Sequence, residues 1–320
     1  MSGLKVSIVV PLYNKAPHVR RALDSIAAQT FSDFEVIVVD DGSTDDGAAI
    51  VANYGDSRVR LVRQPNAGPG AARNAGLAQT QGEFIAFLDA DDAWLPTYLE
   101  ESVRQLGESG DDVAAVSSGY IEYPSGMWRE RMWRQRGLSK GVHRVAPDTN
   151  PWLVVSMLAY MSPCSTVARS QVIRKWGGFY DREKCLYAED AFLWLKFLLN
   201  EKVAFNPKPL VIFHREASGL SKNLAGAHTV EPFLIDSREI EAACPSTLRV
   251  LLGHVLAIRA AKTACVFGYW GHWREARSLM QRFTKAKDWR LPYYFSGRVC
   301  STPIGAVLGW TWRGAHSFLS

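Results

Sequence analysis

Cysteine is scarce and unpatterned. The five at positions 164, 185, 244, 265 and 300 are odd in number and never fall as C-x-x-C, so neither a disulfide framework nor a zinc knuckle is supported. Long apolar runs are missing too: Trp152–Met161 and Pro303–Trp312 reach only about half of the ~18 residues a membrane-spanning helix takes. The expectation is that nothing here spans a bilayer. The first residues lead straight into Val6–Val10, without the basic start, apolar stretch and small-residue cleavage site of a secretory signal. No internal repeat or low-complexity tract is present. With 47% hydrophobic and 22% charged residues, the composition excludes a disordered or collagenous chain. Together these absences predict a cytoplasmic protein with reduced thiols.

What is present is unevenly spread. Residues 245–320 hold 11 of the 37 Lys and Arg against two acids, Glu275 and Asp288, while the rest of the chain is slightly acidic. Five of the 11 tryptophans (270, 273, 289, 310, 312) lie in the same stretch, with Tyr269, Tyr293 and Tyr294. A basic, Trp-rich segment suits an anionic membrane surface or nucleic acid better than free solvent. A helical hairpin packed on the rest of the chain is the other reading.

Up to residue 120 the pattern alternates. β-Branched runs at 6–10, 36–39, 59–62, 84–88 and 113–117 are separated by stretches with helical spacing near 17–28, 45–53, 70–79 and 96–106. That predicts an α/β architecture, a mostly parallel sheet flanked by helices. Residues 120–147, rich in Trp and Arg around Pro124-Ser125-Gly126, read as a hairpin or mobile loop. Helices are expected at 148–161, 188–200 and 229–242, and short strands at 165–169, 202–205 and 210–213. Cys244-Pro245 then breaks the chain, and 246–285 reads as a helical hairpin interrupted at Gly268–Gly271. Three segments result: 1–119, 120–243 and a C-terminal helical extension, 244–320.

The chemistry concentrates where strands end. Pro11-Leu12-Tyr13-Asn14 and Asp40-Asp41-Gly42-Ser43 close the first two strands, and ligands of open parallel sheets bind beyond the carboxyl ends of their strands. Taken alone, Asp-Asp-Gly-Ser is equally a capped turn. Asn66-Ala67-Gly68-Pro69-Gly70 opens a helix whose free N–H groups attract phosphate, with Arg73 adding a charge one turn in. Because this glycine pair does not follow the first strand, and Arg73 stands where a third glycine is needed, it is no dinucleotide fingerprint. The fourth strand ends in Asp89-Ala90-Asp91-Asp92, three carboxylates that repel one another unless a cation or donors sit between them. A hard divalent ion, Mn2+ or Mg2+, suits them.

Val6–Asn14, Ile37–Asp45, the Asn66–Gly76 run and Phe87–Asp92, in this order and spacing, resemble the GT-A glycosyltransferases of family 2. The resemblance is dense over 6–100 and sparser to about 222. It implies an inverting enzyme that uses a nucleotide-diphosphate sugar, here a UDP-sugar, and a divalent metal. Carried over, Pro11 and Asp41 hold the nucleobase with Tyr13 and Asp40 beside them. Asp89 faces the ribose, and Asp91 binds the metal that bridges the two phosphates. Ala188-Glu189-Asp190 matches the family's Glu-Asp signature, whose aspartate, here Asp190, is the catalytic base. Phe213–Ser221 resembles a basic and Ser-containing segment over the diphosphate, in which His214 is a third metal ligand or Arg215 pairs with phosphate. Segment 121–146, with Trp128 and Trp133, faces a sugar or lipid pyrophosphate, or is a solvated lid.

The implied function is transfer of a sugar to a saccharide or lipid-linked saccharide acceptor in cell-surface polysaccharide assembly, at the inner face of a membrane, with no role for nucleic acid. Two rivals remain. A nucleotidyltransferase would not need Asp190, and the first strand lacks the longer Gly-rich basic loop it would use. A non-catalytic binding protein on the same fold would show gaps among Asp41, Asp89, Asp91 and Asp190, and none is missing.

Overall fold

The computed structural model describes residues 5–217, 229–284 and 292–302, with the side chains of 292–295 left aside. The chain divides into two compact units, one from 1–145 with 156–222 and the other from 146–155 with 223–320.

The first unit is built on one ten-stranded sheet. β1 (Val6–Leu12), β2 (Phe34–Asp40), β3 (Val59–Arg63) and β4 (Phe84–Phe87) are parallel, in the order β3-β2-β1-β4. Their continuous apolar runs follow from burial on both faces: Ile8, Val9, Val10, Val36, Ile37 and Val38 are all fully buried. Helices α1 (Ala16–Ala27), α2 (Gly47–Ala52), α3 (Pro69–Ala78) and α4 (Tyr98–Glu108) follow the strands as the periodicity predicts. β5 (Ala93–Trp94) is a two-residue strand beside the acidic turn.

Beyond β4 the sheet continues through β6 (Val113–Tyr123), β9 (Thr166–Arg169) and β10 (Lys202–His214). β9 runs antiparallel between β4 and β6, and β10 runs parallel to β6. The expected segment boundary at 119/120 falls inside β6. The two strands expected at 202–205 and 210–213 are one element, β10, whose register against β6 shifts at Asn206–Pro209 because prolines there remove ladder donors. In the 120–147 stretch, β7 (Met127–Trp128) pairs back on β6 as the expected hairpin. A short helix, α5 (Glu130–Gln135), and β8 (Gly141–His143) follow. α6 (Pro151–Tyr160), α7 (Ser170–Lys175) and α8 (Glu189–Asn200) complete the helices of this stretch.

In the second unit, the helix expected at 229–242 is two short ones, α9 (Pro232–Ile235) and α10 (Arg238–Ala243). The expected hairpin is α11 (Arg249–Tyr269) and α12 (Trp273–Arg282), turning at Gly271 with φ 89°. α13 (Pro292–Cys300) packs on α11. The expectation of no spanning-length helix is corrected here. Residues 246–269 form a continuous helical stretch long and apolar enough to cross a membrane by length and composition. The sequence hides it because His254, Arg259 and Lys262 interrupt the apolar run. Most of that stretch is buried within the protein, as in a core helix. Arg259 pairs at 2.9 Å with the buried Glu231, which also accepts from Thr263 Oγ1 at 2.7 Å. Trp289, Trp310, Trp312 and residues 218–221 lie outside the described residues.

Candidate active site

The ends of β1 and β2 are tied into one platform. Asn14, in a left-handed turn at φ 51°, accepts the Thr44 amide at 2.8 Å, and Asp40 accepts the Ser43 amide at 2.9 Å. Pro11 is half-buried and Tyr13 exposes its ring beside them. Asp41 is buried, and its carboxylate accepts Gln64 Nε2 at 2.7 Å and the Ala67 and Gly68 amides at 2.9 Å each. The structure therefore places Asp41 as the anchor of the Asn66–Gly68 loop that opens α3. At Gly70 a Cβ would stand 2.1 Å from the Tyr180 carbonyl oxygen, so only glycine lets α3 approach the segment that leads into α8.

That approach carries Arg73 to the centre. Arg73 is 4% exposed, and its guanidinium donates Nη1 to Glu189 Oε1 and Nη2 to Asp89 Oδ1, both at 2.7 Å. Burial alone would lower its pKa, but Asp89, Glu189 and Asp190 reverse this and raise it, fixing the positive charge. Arg73 thus ties the acidic turn after β4 to the first turn of α8. Next to it, Asp190 is pushed up to about 7, chiefly by desolvation and then by the Glu189 charge, with Arg73 and the Ala191 N–H pulling the other way. A carboxylate so placed sits near neutrality, where a general base works best.

Asp89, Asp91, Asp92, Glu189, Asp190, Arg73, His214 and Arg215 line one pocket of about 260 Å³. Trp128 and Trp133 do not. Trp128 is half-exposed on β7, while Trp133 is buried edge-on against Tyr160.

The acidic turn holds more than the sequence discloses. Asp92 is pushed up to about 8 by desolvation and by Asp89 and Asp91, although it accepts the His214 N–H at 2.8 Å and the Cys164 thiol at 3.4 Å. Ligand atoms of Asp89, Asp92 and Cys164 lie within 4.8 Å of one another. The carboxylates fit a hard divalent ion, since a cation would relieve the repulsion recorded at Asp92. Cys164 does not fit that role. Its thiol is driven well up by burial and stays a donor to Asp92. Asp91 pairs with Lys15 Nζ, and its carbonyl accepts from Arg21. His214 shares Nδ1 with Glu216 at 2.7 Å, and Nε2 has no partner among the described residues. Such a carboxylate-oriented imidazole is the usual form of a metal-binding histidine. Arg215 pairs with Glu122 at 3.1 Å, as does Arg129 at 3.5 Å.

Lys15, Arg21 and Cys164 are site residues that motif reading passed over. Lys15 directly follows the first strand's polar turn, which is a usable signal. Cys164 arrives from 72 residues away, and nothing in its local sequence marks it.

The family model described as "Glycosyl transferase family 2" matches residues 7–162. Over 127 residues the chain is 46% identical to the succinoglycan biosynthesis protein ExoW of Rhizobium meliloti, covering 37% of this chain and 40% of that protein. The chain spans between about a third and three-fifths of the length of the curated relatives it matches. Among solved structures, S. aureus TarS 1–349 in complex with UDP superposes with a TM-score of 0.61 at 20% identity, covering 93% of this chain and 90% of that one. The mannosyltransferase PcManGT from Pyrobaculum calidifontis, in complex with GDP-Man and Mn2+, gives 0.59 at 19% identity, covering 97% and 86%. By this match residues 7–162 belong to glycosyltransferase family 2, and the architecture shared with these structures is the GT-A fold.

Proposed function

We propose that the chain is an inverting, metal-dependent glycosyltransferase that moves a sugar from a UDP-sugar to a saccharide or lipid-linked acceptor in cell-surface polysaccharide synthesis. One observation carries the reading: Asp190 lines the same pocket as the acidic turn, and its neighbour Glu189 is tied to that turn through Arg73. An inverting displacement needs a carboxylate opposite the leaving group that takes the acceptor hydroxyl proton as the new bond forms. Asp190 takes that role.

The donor's base rests on the platform of Pro11, Tyr13 and Asp40, beside the loop of Asn66 and Gly68 that Asp41 holds. Asp89 and Arg73 border the ribose and diphosphate. Asp91, with His214, would hold the divalent ion, which when bound neutralises charge on the leaving diphosphate. With the ion held there, Asp91 would no longer hold the Lys15 ammonium, which would then be available to phosphate. The Mn2+ of the mannosyltransferase complex and the nucleotides bound by both neighbours support this assignment. ExoW's part in succinoglycan biosynthesis supports the polysaccharide context.

The protein works in the cytoplasm at the inner membrane face, with the basic 245–320 region held against anionic lipid. The reading is tested by isothermal titration of purified protein with UDP, GDP and their sugar conjugates, with and without Mn2+ or Mg2+. A nucleotide diphosphate that binds at least about tenfold more tightly with metal supports it. Metal-independent binding counts against Asp91 and His214 as ligands.

A further inference from the structure

A second pocket in the first unit, about 200 Å³, is walled by aromatic rings: Tyr120 of β6, Trp128 of β7, Trp133 of α5, Tyr160 of α6 and Phe205 of β10. It shares Trp128, Glu130, Lys140 and Pro207 with an adjoining cleft of about 500 Å³, edged by Glu101, Arg104 and Lys208. The two adjoin, the first walled by aromatic rings and the second edged by charged side chains. None of their residues belongs to the acid pocket, yet the first is built onto that pocket's wall. Tyr120 stacks on Phe213 with ring centroids 4.4 Å apart, and Phe213 lines the acid pocket. Tyr123, three residues along β6, is paired in register with His214, a step of about 10 Å at 3.3 Å per residue.

Resting on the transferase reading above, we infer that these adjoining pockets bind an acceptor oligosaccharide at residues remote from the reacting hydroxyl. The chemistry on the walls selects that ligand class. A sugar ring offers a flat C–H face, which packs on an aromatic ring, and a rim of hydroxyls, which need donors and acceptors at the edge. Here Trp133, Tyr160 and Phe205 are buried, while Ser139 and Lys140 are exposed and Glu130 is half-buried. A lipid tail would leave those polar groups unmatched, and a nucleotide already has the acid pocket. Two adjoining pockets offer room for more than one sugar, and the distance to the acid pocket puts this contact beyond the terminal residue. Rigid aromatic platforms also cost little side-chain entropy to order. Trp133 is fixed in the wall by Tyr160, whereas Trp128 is 47% exposed and offers its face.

The test is binding of the purified full chain to an array of immobilised bacterial oligosaccharides of graded length, with UDP binding by the same wild-type protein measured in parallel. Wild-type protein should capture a subset of glycans, longer members better than disaccharides. Trp128→Ala should weaken that capture by about tenfold, a loss of about 1.4 kcal/mol, and Trp128→Phe, which keeps a ring, should retain most of it. Circular dichroism of both variants checks the fold. Capture equal in wild type and Trp128→Ala, or no capture by wild type, overturns the inference. Glycan capture without UDP binding upholds the inference and counts against the donor reading. UDP binding without glycan capture does the reverse.

Discussion

At the residue scale the account turns on Asp190. Asp190→Asn keeps the shape and loses the proton acceptor, so transfer should fall at least ~10²-fold while donor affinity changes little; a parallel fall in donor affinity would place Asp190 in the nucleotide site instead. Its folded-state pKa of about 7 lies above the ordinary carboxylate value. The folded chain therefore binds more protons than the unfolded chain between about pH 4 and pH 7, and this residue's contribution to stability falls as pH rises through that window. Transfer should rise with pH toward a plateau above about 7, and Asp190→Asn should melt at a higher temperature than wild type at pH 8. A calorimetric scan showing no such gain would mean that burial does not strain the carboxylate. Arg73 is the complementary case. Removing it leaves Glu189 and Asp89 uncompensated, so Arg73→Ala should cost about 3–5 kcal/mol by denaturant unfolding. Its residual activity should have its rising, acidic limb shifted to higher pH, because the charge that restrains Asp190 is gone.

Among elements, α3 carries the most consequence. Gly70→Ala would press a Cβ against the Tyr180 carbonyl, move α3 away from α8 and stretch the Arg73–Glu189 pair. Stability should drop by about 1–3 kcal/mol, with a larger proportional loss of activity than of fold, read as kcat against melting temperature. The strands feeding this region were legible because their β-branched runs are buried on both faces, and β1, β2 and β4 fall where the sequence puts them. β10 reads as two strands because Pro207 and Pro209 look like breakers, yet an irregular register absorbs them. α5 is obscured by alternating Trp and Arg, whose periodicity matches neither a buried strand nor an amphipathic helix. The acids of the site were legible as motifs, while their partners were not. Lys15 against Asp91, and Cys164 beneath Asp92, meet only through the sheet's strand order.

At the scale of the whole molecule, charge is divided unevenly along the chain. The 245–320 region carries nearly a third of the Lys and Arg, and α12 exposes Arg274 and Arg277 with Trp273 half-buried beside them. At about 1 kcal/mol for each basic residue near an anionic surface, full-length protein should sediment with anionic and not neutral vesicles, and be released as salt shortens the screening length. Sedimentation unaffected by lipid charge would leave this region a structural part of the fold. The central claim, inverting transfer from a nucleotide-diphosphate sugar with Asp190 as base, is tested most directly by proton NMR of purified protein incubated with a panel of nucleotide sugars, Mn2+ and an acceptor mixture. The account predicts release of nucleoside diphosphate and a product whose anomeric configuration is opposite to the donor's, both absent with Asp190→Asn. Release of pyrophosphate, or a product with the donor's configuration retained, would contradict it.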